Sequence, residues 1–185
     1  MTTNIVDGQL IFYYPHKLLF ENVQHQSAFM CKNIVSKEGE DLSERFSITD
    51  DEQPMFKLCL AETAPDIYDV LKPIVYGFEF EAYYPSITGQ EMITEIDPLL
   101  ETLPDLEPND DYIVFIVQNN HAYNPNTVKV VDSALRSSIE QGVLSNFYTR
   151  VTHPELTKLS AQMYVGQLGA LAQRIIPLRK KTVFP

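Results

Sequence analysis

NPNTVKVVDSALRSSIEQGVLSNFYTRVTHPELTKLSAQMYVGQLGALAQRIIPL, residues 124–178, decides how the last third of this chain is read. Asn124 followed by Pro125 is a helix start: an N-cap side chain, then a proline whose fixed φ suits the first helical position. Val128, Val131, Leu135, Ser138, Ile139, Gly142, Val143, Asn146 and Phe147 recur at steps of three and four. Lys129, Asp132, Arg136 and Glu140 stand on the other side, so one apolar face and one wet face are expected. Thr152 and Glu155 have capping-box spacing with Pro154 in the first turn, which ends the first helix near Val151 and starts a second. Between Lys158 and Arg174 that second helix carries no charge. Leu156, Leu159, Met163, Tyr164, Leu168, Leu171 and Ile175 cover more than one side of it, so burial on most sides is expected, inside this chain or against another subunit. Gln162, Gln167 and Gln173, with Gly166 and Gly169, make the run too short and too polar for the ~20 apolar residues of a membrane span. Its glycines permit close helix approach.

Upstream, Thr49-Asp50-Asp51-Glu52 is another capping-box spacing, with acidic residues suited to a helix N-terminus. The helix that follows, over about 50–76, is expected to break or kink near Ala64, because Pro65 costs about 3 kcal/mol in a helix interior. Phe78, Phe80 and Ala82 alternate with Glu79 and Glu81, the period of a strand over about 78–84. Residues 112–118 form a second strand able to pair with it. Residues 9–14 read as a strand closed by Pro15, with 17–23 as a possible partner and 27–35 undecided between strand and helix. Residues 36–44 read as a loop. The expected class is α+β: a kinked helix, a helix pair over about 125–151 and 153–176, an antiparallel hairpin or small sheet, and N-terminal strands.

The 185 residues are read as a single domain, 44% hydrophobic and 21% charged, an ordinary globular balance. A net charge of −11 disfavours a general nucleic-acid binder. Cys31 and Cys59 are too few for a disulfide scaffold and are read as reduced, buried thiols in a cytoplasmic setting. Residues 1–7 lack the basic and apolar regions of a signal peptide. Charge is segregated: there is no Lys or Arg between Pro73 and Val128, and no Asp or Glu after Glu155. An acidic, proline-punctuated excursion over 85–111 includes Glu101, Asp105 and Glu107, and a basic tail over 178–185 includes Arg179, Lys180 and Lys181 before an apolar Phe184. These seven are the candidate partner-binding residues. The excursion is read as a solvated loop, as a dock for a neighbour's tail, or as a negative wall that repels passing DNA.

No glycine-rich phosphate loop, Gly-x-Ser-x-Gly or His-Glu-x-x-His occurs. His16, His25, His121 and His153 are scattered and are read as surface or capping residues. A Cys31–His25 nucleophile pair is conceivable only if the fold joins them. The acidic excursion lacks the Asp/Asn spacing and central Gly of a calcium loop. No catalytic residue, metal ligand or cofactor is therefore assigned.

Three stretches, Arg45-Phe46-Ser47-Ile48-Thr49-Asp50-Asp51-Glu52, Ile67-Tyr68-Asp69-Val70-Leu71 and Ile176-Pro177-Leu178-Arg179-Lys180-Lys181, carry a resemblance. In this order, with strands and a helix pair between them, the chain resembles neck or head–tail connector virion proteins of tailed bacteriophages and prophages of Bacteroidetes-type hosts. The resemblance covers roughly residues 43–184. It implies a structural, non-enzymatic subunit that forms a ring homo-oligomer around a DNA channel. It also implies contact with portal or adjacent neck and tail proteins, passage of DNA without specific binding, no membrane, and assembly into the virion in the host cytoplasm. Two other readings stay open: an acidic cytoplasmic binding or inhibitor module that masks a basic partner, and an enzyme of unknown class.

Overall fold

Two short apolar runs lie side by side as antiparallel strands: β2 (Gln9–Pro15) and β4 (Asp110–Val117). Both belong to a four-stranded sheet completed by β1 (Thr3–Val6) and β3 (Val75–Tyr84), in the order β1-β2-β4-β3. The structure, a computed structural model, describes residues 3–6, 9–32, 34–35, 39, 41–84, 110–117 and 124–178. All neighbouring strands are antiparallel, and the expected pairing of the segments near 78–84 and 112–118 is present as β3 with β4. Every side chain from Leu10 to Tyr14 and from Tyr112 to Val117 is buried. Leu10, Phe12 and Tyr14, with Ile113, Phe115 and Val117, face the helical core, while Ile11, Tyr13, Val114 and Ile116 belong to the opposite face. Two-sided burial explains why these strands read as continuous apolar runs rather than as alternation.

Pro15 ends β2, and α1 (His16–Cys31) begins at the next residue. Residues 17–23 are thus helical, not the strand partner expected from them. Buried Leu19, Phe20, Val23, Ser27 and Cys31 follow a helical period that shows only when the run is taken whole. β2 is flanked instead by β1 and β4. A single turn, α2 (Ser43–Phe46), and a short 3-10 turn (Asp50–Glu52) lead into α3 (Gln53–Leu71). The capping box is formed: the Glu52 carboxylate accepts the Thr49 N–H at 2.7 Å. Ser27 Oγ accepts the Ile48 N–H at 2.9 Å and ties α1 to this start.

α3 runs unbroken through Pro65 and stops at Leu71, short of the expected 76. Proline removes the hydrogen bond to the Ala61 carbonyl. Buried Cys59, Leu60, Thr63, Ala64, Ile67 and Leu71 on either side hold the helix against the core regardless.

α4 (Pro125–Arg150) and α5 (Pro154–Arg174) form the expected pair. Asn124 caps α4 by accepting the Asn126 N–H at 2.9 Å. The cap of α5 is one residue later than expected. Thr152 sits at φ +55°, in the left-handed turn between the helices, and His153 Nδ1 accepts the Leu156 N–H at 3.3 Å. A second 3-10 turn (Ile176–Leu178) follows, and Leu178 is buried in the core. A tail counted from 178 therefore includes one core residue.

Candidate functional site

α4 is surrounded. From Ser138 to Ser145 every residue is buried, including Glu140 and Gln141, so the expected wet face holds at exposed Lys129 and half-buried Asp132 and Arg136 and ends at Glu140. Asn22 and Gln26 on α1 donate to the two Glu140 carboxylate oxygens at 2.8 and 2.7 Å, and Arg136 Nε lies 3.9 Å from one of them. Burial pushes the Glu140 carboxyl pKa up, opposed by those two amide hydrogen bonds and by the Arg136 charge. About two turns before Glu140, the Tyr14 hydroxyl donates to Asp132 Oδ1 at 2.8 Å. Its pKa is raised well above normal, first by burial and then by the Asp132 charge.

On the α3 side Asn146 donates to Thr63 Oγ1 at 3.1 Å, and Arg150 pairs with Glu62. Burial raises the Cys59 thiol to about 11, with the nearby Arg150 charge pulling the other way, so the thiol is protonated at neutral pH. Cys31 Sγ lies 3.4 Å from the Tyr148 hydroxyl. His25 is exposed on α1 while Cys31 is fully buried, and the two do not meet as a nucleophile pair. His16 is buried, against the surface role expected of it: its Nδ1 lies 3.9 Å from the Asp111 carboxylate, which also takes Lys57 Nζ at 2.7 Å. These contacts join α1, α3 and β4 and hold elements together. His153 has the capping role expected of it.

α5 is the opposite case. It buries Leu156, Ser160, Tyr164 and Leu171, anchored by the Tyr164 hydroxyl on Asp66 at 3.1 Å and by Thr157 Oγ1 on the Tyr148 carbonyl at 2.8 Å. Burial on most sides is not found within the chain. Leu159, Met163 and Val165 are 46%, 40% and 69% exposed, and Gly166 and Gly169 are open, with no atom within 4 Å of where a Cβ would stand. This uncharged, partly apolar face is a surface suited to a partner, and Phe29, Val35, Leu58, Val130 and Ile176 are further exposed apolar side chains among the described residues. Its exposure was hidden in the sequence, because a run without charge reports composition and not neighbours.

Glu101, Asp105, Glu107, Arg179, Lys180, Lys181 and Phe184 lie outside the described residues, as does His121. Among the described residues no group of three or more His, Cys, Asp or Glu side chains is placed to hold a metal ion, and no helix is long and apolar enough to cross a membrane. Comparison with protein-family models, with curated proteins and with solved structures returned no match to this chain.

Proposed function

We propose that this chain is a structural subunit of a tailed-phage virion, a head–tail connector or neck ring protein that contacts its own copies and the portal or neighbouring neck proteins. The observation that carries the reading is the neutral, exposed face of α5 on a chain of net charge −11. Apolar area left open on a helix that is otherwise well anchored is the mark of a surface that meets protein. The virion setting comes from the resemblance of the capping-box stretch, of residues 67–71 and of the basic ending. Strong acidity favours a channel wall that DNA passes without sticking, because phosphate binding is driven by basic groups and counterion release.

Light scattering and negative-stain imaging of the full chain, alone and mixed with portal protein, test this. A closed ring, or a ring seated on portal, is the expected result. A chain that stays monomeric at high concentration and ignores portal overturns it, and capture of a basic protein by that monomer moves the function to an acidic masking module.

A further inference from the structure

The exposed side of α5 has an order that exposure alone does not explain. Leu159, Met163, Gly166 and Ala170 follow one another at steps of four, three and four, the spacing of a coiled-coil seam. Glu155 stands one turn before Leu159 and Arg174 one turn after Ala170, both exposed. Neither makes an ion pair among the described residues. The series reads the same way from either end in spacing, and it is opposite in charge at its two ends.

An antiparallel partner with this same face meets all of these features in one register. Glu155 falls opposite Arg174, Leu159 opposite Ala170, and Met163 opposite Gly166. Each of the two apolar layers then sets a large side chain against a small one, and the open Cα of Gly166 receives the Met163 side chain. A parallel pair would place Met163 on Met163, Gly166 on Gly166, and like charges together at both ends. Two copies that are each −11 repel over most of their surface, and the strip without charge between Lys158 and Arg174 is where they can approach.

We propose that α5 docks a second copy of this chain, antiparallel, through Leu159, Met163, Gly166 and Ala170, with Glu155 of each copy against Arg174 of the other. This inference rests on the reading above only in treating the face as a subunit contact. A two-fold contact of this kind closes on itself, so growth into a ring requires a second, different surface.

Sedimentation equilibrium of the full chain, with circular dichroism to verify folding, tests the pairing. The parent is expected to be a dimer that dissociates on dilution. Met163→Lys is expected to weaken association about a hundredfold while the fold is kept, since a buried unpaired charge replaces an apolar knob. Glu155→Arg and Arg174→Glu, each alone, are expected to weaken it about tenfold through like-charge contacts at both ends. Mixing these two variants one to one restores association, because every exchanged end then meets its opposite. A monomer at all concentrations overturns the pairing, and so does a dimer indifferent to Met163→Lys. If the mixture associates no better than its components, the antiparallel register is wrong. A chain that builds larger rings yet ignores all three substitutions refutes this pairing and leaves the connector reading standing.

Discussion

α4 and α5 are neighbours of similar length, and their burial is the reverse of what their charges suggest. α4 carries Lys129, Asp132, Arg136, Glu140 and Arg150, yet it is enclosed on all sides over residues 138–145. α5 has no charge between Lys158 and Arg174, yet it leaves one side open. Burial is decided by what surrounds a helix. α4 lies among α1, α3 and α5, so even its glutamate is enclosed, at the cost of two dedicated amide donors. Among the described residues α5 rests on α4 and α3 by one face.

The largest effect that separates the two helices is expected at Glu140. Glu140→Ala takes the acceptor from Asn22 and Gln26 and should cost about 3 kcal/mol in urea unfolding at neutral pH. It should also remove a pH dependence. Folding raises the Glu140 pKa, so the folded state holds that proton more tightly than the unfolded chain. This contribution is whole below the usual glutamate value of 4.5 and is lost as pH climbs through the raised folded value. The parent should therefore lose stability over that window relative to Glu140→Ala, and parallel pH profiles would show that the carboxyl is solvated.

A smaller loss is expected at Gly142, where side chains of α3 and α5 meet α4. An added Cβ meets the Thr63 methyl and lies 2.9 Å from the Tyr164 ring. Gly142→Ala should destabilise by about 2 kcal/mol, after allowing for the ~1 kcal/mol that alanine contributes to a helix. Stabilisation instead would mean that the helices stand further apart. Gly169→Ala on α5 is the matched control. Nothing stands within 4 Å of its Cβ, so it should raise stability by up to about 1 kcal/mol, read as a higher urea midpoint at unchanged slope. The smallest effect belongs to Val165→Thr, an exposed site where a change within about 0.5 kcal/mol is expected. A loss above 1 kcal/mol there in dilute monomer would mean that the open side of α5 is covered within the chain.

What the sequence makes legible here is local. Asn124-Pro125 and Thr49 to Glu52 are caps whose partners lie within three residues, and both form. The β3–β4 pairing follows from one alternating run and one apolar run that only a sheet accommodates. Less legible are features set by distant parts of the chain. Thr152 and His153 both offer a capping atom, and the tight turn between α4 and α5 selects His153. Pro65 signals a break or a kink, and no break occurs, because buried side chains on both sides of it hold the helix together. Residues 17–23 and 27–35 each carry too few apolar positions to show a period, whereas the buried positions of α1 span both. For the candidate face, spacing and lack of charge were visible in the sequence, whereas which side of α5 lies open depends on where α3 and α4 sit.

The sheet order β1-β2-β4-β3 also has a cost in time. β2 is translated before β4 and pairs Leu10 with Val117, and its Tyr14 hydroxyl waits for Asp132, 118 residues away. At about 5–20 residues per second, a nascent apolar strand stands without its central partner for roughly 5–20 s. Non-local pairing of this kind slows folding and prolongs the exposure of a segment prone to aggregate. During synthesis the fate of this protein turns on keeping residues 9–15 from other strands until β4 has left the ribosome.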